Sequence, residues 1–284
     1  MTNLDQFESA FKSADKRPFQ FAPVTFDSVL VVTDLNESMA GEYQSRLAVF
    51  LQRINPAPRW NVLANDALDS VDGLLERVRT ESPDLICTYR NLQLPARQHP
   101  YSLGVFVDVL TQATAVPVML TPHAERVAAD PTILPHTQTV IAITDHLLGD
   151  DRLVNHAAAF ARPGGHLWLT HLEDERHFDR YIDAIGKIPA IDTDTARDEL
   201  LAQLLKEPAE YIESCGRQLT AADADLVVES EVTLGSHLSD YRRLIQDHDA
   251  QLVVLNAKEE DQLAMHGMAY PLSVELRDTP LVLL

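Results

Sequence analysis

The chain has 284 residues, of which 45% are hydrophobic and 23% are charged, so its composition is that of a globular protein rather than a disordered or fibrous one. Its formal charge of -20 repels phosphate backbones and anionic lipid surfaces, which excludes nucleic acid as an expected partner. No apolar run approaches the roughly 20 residues of a membrane span. Since Met1–Gln20 is also too polar for a signal peptide, we expect a cytoplasmic protein without a membrane span.

Apolar runs typical of buried parallel strands alternate along the chain with segments of helical spacing. The lead-in, Met1–Pro23, carries Leu4, Phe7 and Phe11 at helical spacing and is predicted to form a short amphipathic helix. The strands predicted after it are, in order, Ser28–Thr33, Trp60–Ala64, Asp84–Tyr89, Val116–Leu120, Thr139–Thr144, His166–Leu172, Leu226–Val232, Gln251–Leu255 and Pro280–Leu284.

The segment Pro122–His136 holds three prolines and no sustained periodicity, which predicts a linker. We therefore expect a lead-in helix in residues 1–25, a first unit in 26–121, a linker in 122–138 and a second unit in 139–284. Within the second unit, Thr195–Asp198 fits a capping box at the start of a long helix. Pro208 is expected to kink or split that helix.

The two units share a spacing that indicates an internal repeat. Gly104 precedes Pro117 by 13 residues, and Gly267 precedes Pro280 by the same number. Both units open with an apolar strand ending in Thr-Asp, at Asp34 and at Asp145. The distance from that Asp to the late Gly is 70 residues in the first copy and 122 in the second, so the first copy is predicted to lack about one strand and one helix.

These motifs resemble the universal stress protein family in a tandem form. Its unit opens with a strand ending in Asp, has a penultimate strand like Asp-Leu-Ile-Val-Val-Gly and closes with Pro-Val-Leu-Val-Val. The counterparts here are Asp84–Cys87 and Gln251–Val254 for the penultimate strands, and the segments beginning at Pro117 and Pro280 for the closing strands. The resemblance implies two tandem doubly wound α/β units with parallel sheets, Rossmann-like and similar to adenine nucleotide alpha hydrolases, the first unit being shortened.

Members of the family that bind ATP share a glycine loop, G-x2-G-x9-G-(S/T), in which backbone amides approach the phosphates closely. Only the last glycine is present here, as Gly104 in the first copy and Gly267 in the second. Val105 and Met268 stand where the hydroxyl residue is expected. The chain therefore resembles the branch of the family that does not bind nucleotides, and we expect no cofactor, with ATP binding weak or absent.

Asp34 and Asp145 stand at the carboxyl ends of first strands, where open α/β sheets bind ligands. The resemblance places this Asp against the adenine or ribose, whereas a helix cap is the alternative for both residues. In the first loop, Arg90, Arg97 and His99 could meet a phosphate through their side chains, or the arginines could pair with carboxylates. The second loop contains Lys258–Asp261, which sums to -2 and would repel a triphosphate.

Other chemistry finds little support in the sequence. His166, His171 and His177 lie near Glu173 and Asp174, but His166 and His171 are five apart on a strand and face opposite sides, so no metal site is expected. G-x-S-x-G, Walker A and G-x-G-x-x-G motifs are absent, so we expect no enzyme. The only cysteines, Cys87 and Cys215, are expected to be reduced and structural.

The function expected is that of a universal stress protein-like regulatory protein, which acts in stress response through protein or small-ligand contacts and has degenerate ATP loops. The alternative is a sensor that binds an adenine nucleotide or small anion through one unit, the first being favoured for phosphate contacts. The apolar closing strands Val116–Leu120 and Pro280–Leu284 are expected to pair, which would join the units as an intramolecular pseudo-dimer.

Overall fold

A computed structural model gives the fold of the chain. The residues that it describes are 18–51, 57–65, 68–94, 99, 101–134, 136–144, 147, 149–235, 237–257, 265 and 268–284. Leu4, Phe7 and Phe11, on which the predicted lead-in helix rests, lie outside the described residues. Residues 18–26 belong to no helix or strand, so this part of the predicted helix is not formed, and the amide of Ala22 donates to Asn155 Oδ1 at 3.1 Å.

Strands and helices alternate along the chain, as the periodicity predicts. The strands are β1 (Ser28–Val32), β2 (Arg59–Leu63), β3 (Leu85–Tyr89), β4 (Val118–Thr121), β5 (Thr139–Thr144), β6 (Gly165–Glu173), β7 (Leu226–Leu234), β8 (Leu252–Leu255) and β9 (Leu281–Leu283). The helices are α1 (Glu37–Phe50), α2 (Val71–Glu81), α3 (Val105–Ala113), α4 (Ala124–Ala129), α5 (Asp151–Phe160), α6 (Glu175–Ile185), α7 (Thr193–Ala221), α8 (Leu238–Asp247) and α9 (Ala269–Glu275).

All of these strands form a single sheet in the order β2-β1-β3-β4-β9-β8-β5-β6-β7. Neighbouring strands are parallel except β4 and β9, which pair antiparallel with Met119 opposite Val282. The inner strands are fully buried and almost wholly apolar, as expected where helices cover both faces of a parallel sheet. The mostly parallel α/β fold that we predicted is confirmed.

The sheet has the same strand order on both sides of its central antiparallel pair. Outward from the centre, the first side runs β4, β3, β1, β2, and the second side runs β9, β8, β5, β6, β7. Among the described residues of the first side, no strand or helix corresponds to β7 and the helix α7 before it, which agrees with the shorter spacing of the first copy. The predicted pairing of the closing strands is present, whereas the unit boundaries stay a prediction.

The segment predicted as a linker contains α4, whose Ala124 and Val127 are buried, and its role between two units stays a prediction. The start of the long helix was predicted wrongly. The long helix α7 begins at Thr193, because Asp192 is the N-cap and accepts the amide of Thr195 at 2.8 Å, so the expected capping box at Thr195–Asp198 is not the start. Of the two outcomes expected at Pro208, the split does not occur, because α7 runs through this residue for a total of 29 residues, and the kink stays a prediction.

Candidate functional site

Asp34 follows β1 at the carboxyl end of the sheet, beside the end of β3. The hydroxyl of Tyr89 donates to Asp34 Oδ1, and the amide of Gln93 donates to Asp34 Oδ2 at 2.7 Å. The hydroxyl of Tyr89 also lies 2.9 Å from Thr33 Oγ1 and accepts the Asp34 amide at 3.1 Å. Both carboxylate oxygens of Asp34 thus have partners from β3 and the loop that follows it.

The capping alternative for Asp34 was wrong. Asn36 is the N-cap of α1, where its side chain accepts the amide of Met39 at 3.1 Å. Asp34 lies two residues earlier and faces the neighbouring strand. The sequence therefore placed Asp34 correctly at the strand end but did not identify its partners.

The loop after β3 folds back over the carboxyl end of β1. Asn91 and Gln93 have φ of 61° and 59°, in the left-handed region that residues other than glycine adopt only rarely. This turn buries Leu92, and the Gln93 side-chain amide donates to Leu68 O at 2.5 Å. Gln93 thus contacts both Asp34, after β1, and Leu68, at the carboxyl end of the sheet where open α/β sheets bind ligands.

Gly104 packs against the backbone of this loop at Asn91. It precedes α3 with a φ of 88°, and a Cβ at this position would lie 3.0 Å from Asn91 Cα and 3.2 Å from Asn91 N. The amide of Asn91 donates to Leu103 O at 2.7 Å, which holds the two segments together. A glycine is favoured here because the backbone of Asn91 comes close and φ is positive.

Arg90 turns away from Asp34 and crosses to the second half of the sheet. Its guanidinium donates to Ser273 O and Leu276 O, the last carbonyls of α9. Burial lowers the pKa of Arg90 to about 10, with a further contribution from nearby Arg277. The cation stays charged at neutral pH and satisfies carbonyls that a helix end leaves without intrahelical partners. The hydrogen bonds of the guanidinium thus go to backbone carbonyls, while Asp278 is close enough to favour its charged form.

Tyr89, the partner of Asp34, belongs to a cluster of aromatic rings and hydroxyls that also includes Tyr43, Thr121 and His123. The ring of Tyr89 packs on His123 at 4.9 Å and meets the ring of Tyr43 edge-on at 5.8 Å. The hydroxyl of Tyr43 lies 2.7 Å from Thr121 Oγ1. Burial raises the pKa of Tyr43 and of Tyr89 well above the ordinary value, so both stay neutral hydroxyls that can donate.

Tyr89 and Gln93 are the residues that sequence reasoning missed. Tyr89 ends the segment that begins at Asp84, and it stands where the family pattern Asp-Leu-Ile-Val-Val-Gly has its glycine. That departure was visible in the sequence. Gln93 carried no comparable signal, because nothing in its neighbourhood predicts a left-handed turn at a residue other than glycine.

The remaining loop residues are less informative. His99 is exposed, and its carbonyl accepts from Asn91 Nδ2 at 3.4 Å. Arg97 lies outside the described residues. The structure thus brings Asp34 and Gly104 to one loop, while the side chain of Arg90 leaves it.

The second half offers a partial view of the equivalent position. Asp145, Gly267 and the loop Lys258–Asp261 lie outside the described residues. Nearby, Asn256 Nδ2 donates to Asp150 Oδ2 at 2.5 Å, and Asp150 Oδ1 accepts the Leu153 amide at 2.9 Å. Asp150 is therefore the N-cap of α5, a role that the sequence considered for Asp145.

The histidines that suggested a metal are each near a different carboxylate. His166 lies 3.7 Å from Glu229, His171 lies 3.2 Å from Glu173, and His177 lies 3.8 Å from Asp174. In the part of the chain that the structure describes, no three His, Cys, Asp or Glu residues converge as metal ligands would.

Both cysteines are free thiols in the interior, as predicted. Cys87 lies in β3 and Cys215 in α7. Burial raises the pKa of Cys87, and it raises that of Cys215 to about 12, so neither is a reactive thiolate at neutral pH. Among the described helices, none combines the length and apolar character that a membrane span needs.

Comparison with known proteins identifies the fold. A universal stress protein from Archaeoglobus fulgidus DSM 4304 has a similar structure, with a TM-score of 0.53 and 13% identity, covering 90% of this chain and 96% of that chain. A protein of unknown function from Pseudomonas aeruginosa PAO1 has a TM-score of 0.50 and 14% identity, covering 91% and 92%. No protein-family model and no curated protein matches the sequence. At such low identity the likeness shows a shared fold.

Proposed function

We propose that this chain is a universal stress protein-like regulatory protein that acts in the cytoplasm through protein or small-ligand contacts rather than through ATP. The observation that carries the proposal is the loop after β3, since Gln93 and Tyr89 take both carboxylate oxygens of Asp34. The fold shared with a universal stress protein supports the family. The missing glycines and the side chain at Tyr89 support the loss of nucleotide binding.

The proposal includes the absence of a cofactor and of catalysis. A nucleotide at Asp34 would compete with the Gln93 amide and the Tyr89 hydroxyl for the carboxylate, and Arg90 could reach its phosphates only by leaving Ser273 O and Leu276 O. Each of these contacts involves a buried or charged group, which costs free energy when its partner is removed. The polar groups assembled at this strand end thus serve the fold.

Calorimetric titration of the purified chain with Mg²⁺-ATP tests this proposal. We expect no site tighter than about 1 mM, with any residual binding weaker in the second half than in the first. A micromolar, magnesium-dependent site would overturn it and favour the nucleotide-sensor alternative. Repeating the titration with Asp34→Ala then locates such a site, because binding that survives this change belongs to the second half.

Two further measurements complete the test. Native mass spectrometry of the purified chain should show the polypeptide mass without a retained nucleotide. Incubation with ATP and with simple esters should give no turnover above that of buffer. Turnover of either substrate that scales with protein concentration would contradict the non-enzymatic part of the proposal.

A further inference from the structure

The strand β2 forms one edge of the sheet and has a strand partner on one side only, β1, within the described residues. The amide of Arg59 donates to Asp27 O at 2.8 Å, and Leu63 O accepts the amide of Thr33 at 3.0 Å. These alternate residues therefore turn their backbone groups towards β1. Trp60 and Val62 turn theirs outward, which leaves a row of donors and acceptors that another strand can pair with.

The second half shows how the equivalent strand is covered. Trp60 and Val62 lie opposite Val29 and Val31 of β1, and Leu167 and Leu169 of β6 lie opposite the corresponding residues of β5. Leu167 and Leu169 are 0% exposed, whereas Val62 is 39% exposed. The difference coincides with β7, which adds to β6 in parallel over nine residues, and with α7, which packs on both strands.

A groove adjoins the uncovered part of β2. It has a volume of about 330 Å³ and lies between β2 and the beginning of α1. Leu35, Ala40, Val62 and Ala64 supply apolar walls, and Glu37 supplies a carboxylate. Outward backbone groups and an apolar pocket thus lie side by side, which is the arrangement that strand-adding peptides use for affinity and for selectivity.

We propose that β2 binds an extended, basic segment of a partner protein, which adds to the sheet as a parallel strand and places an apolar side chain in the groove. The direction follows from β7, which covers the equivalent strand in parallel. The positive charge follows from the -20 net charge of this chain and from Glu37 at the groove. This inference goes beyond the proposed function, because it does not depend on whether any nucleotide binds.

A second copy of this chain fits the edge less well. Five residues of strand span only about 17 Å, so two such edges would bury far less than the roughly 1,200–2,000 Å² of a stable interface. Two copies would also bring together molecules that each carry a charge of -20. A short peptide needs less area, because main-chain hydrogen bonds contribute much of its affinity.

The other edge of the sheet has features that oppose pairing. The strand β7 carries Glu229 and Glu231 within its length, and charges inside an edge strand are a known protection against addition of another strand. The strand β2 has one charged residue, Arg59 at its first position, whereas Trp60, Asn61 and Val62 at its centre are uncharged. The two edges therefore serve as test and control within one molecule.

The probe for the experiment is a labelled nine-residue peptide with the sequence of β7, residues 226–234, in which Glu229→Lys and Glu231→Lys make it basic. Fluorescence anisotropy should show binding at about 0.05 M salt that weakens at about 0.5 M. Hydrogen exchange should slow at the amides of Trp60 and Val62 when the peptide is present. The same peptide with its glutamates retained should bind more weakly.

Val62→Pro is the decisive variant, since it removes one outward amide at a position where an edge strand tolerates proline. It should weaken peptide binding about tenfold, as expected for one lost hydrogen bond. Ser230→Pro is the matched control on β7. Gly235 N donates to Glu173 O of β6, so the odd-numbered residues of β7 turn their backbone groups towards β6. The even-numbered residues, Ser230 among them, turn their backbone groups outward. Val62→Lys provides a second test that keeps the backbone and repels the basic probe.

Several results would overturn the proposal. One is failure of the parent chain to bind the peptide, and another is equal affinity in the parent, Val62→Pro and Val62→Lys chains. Slowed exchange on β7 instead of β2 would place the site at the wrong edge. Sedimentation that shows a dimer dissociated by Val62→Pro would assign the edge to a second copy. The Mg²⁺-ATP titration is a separate readout, so failure here leaves the proposed function to stand or fall independently.

Discussion

Tyr89 stands at the end of β3, where its hydroxyl meets Thr33 and Asp34 of the neighbouring strand. Burial and the hydrogen bond to Asp34 both raise the pKa of Tyr89, so the hydroxyl keeps its proton at neutral pH. One phenol can thus serve as donor to a carboxylate and as acceptor from a backbone amide. At the residue scale, the Tyr89 side chain lies at the carboxyl end of β3, the end at which open α/β sheets bind ligands.

Tyr89→Phe should lower the free energy of unfolding by about 1–3 kcal/mol, because Asp34 Oδ1 and the Asp34 amide lose a partner in a partly buried place. Urea unfolding followed by circular dichroism measures the change. Tyr101→Phe is the control, since Tyr101 is 78% exposed and should shift stability little. Equal stabilities for the two variants would show that the Tyr89 hydroxyl contributes nothing to the fold.

Gly104→Ala tests the close approach of the loop. The new Cβ would lie 3.0 Å from Asn91 Cα, and the φ of 88° is already unfavourable for alanine. Gly149→Ala is a matched control, because Gly149 has a φ of 79° but no atom within 4 Å of its Cβ position. We expect a loss of about 1 kcal/mol for Gly149→Ala and a clearly larger one for Gly104→Ala, measured by urea unfolding. Identical losses would mean that the contact with Asn91 imposes no cost.

At the scale of elements, α7 shows how tertiary packing overrides a local signal. Pro208 lies in the interior of this 29-residue helix, on the buried face with Tyr211, Ile212 and Cys215. A proline there lacks its amide and crowds the preceding turn, which costs about 3 kcal/mol relative to alanine. Burial of the same face against β6 and β7 offsets that cost and holds the two parts of the helix together.

Pro208→Ala should therefore stabilise the protein by about 1–2 kcal/mol, since the restored hydrogen bond outweighs the lost contacts of the buried ring. Thermal and urea unfolding provide the measurement. Ala202→Pro is the counterpart on an exposed turn of the same helix and should lose about 3 kcal/mol. A destabilised Pro208→Ala chain would mean that packing of the proline ring dominates.

The elements could be predicted from sequence because buried parallel strands are continuous apolar runs, bounded by segments of helical spacing. Ser28–Val32 and Thr139–Thr144 match their predicted strands to within one residue. The loop after β3 could not be predicted, since its shape depends on left-handed turns at Asn91 and Gln93 and on contacts remote in sequence. Arg90 illustrates the limit, because its partner Ser273 lies 183 residues away.

At the scale of the whole molecule, the two halves of the sheet are joined at its centre. The antiparallel pair β4 and β9 is buried, and Arg90 links the first half to α9 of the second through two carbonyls. Arg126 and Asp278, 2.6 Å apart, cross the same boundary at the surface. Buried backbone pairing and a buried cation contribute more than an exposed ion pair, so the centre of the sheet should control the integrity of the whole.

Val282→Asp tests this inference directly. Val282 lies opposite Met119 at the centre of the antiparallel pair and is 0% exposed, so a carboxylate there would be buried without a partner. Burial of an unpaired charge costs several kcal/mol, and relief requires that β9 separate from β4 and expose both apolar edges. We expect aggregation, or an expanded particle in small-angle scattering, together with a free energy of unfolding lower by about 4 kcal/mol or more. Val227→Asp is the control on β7, where the side chain is 45% exposed, and should leave the scattering profile unchanged. If Val282→Asp stays soluble, compact and as stable as this control, the central strand pair does not hold the two halves together.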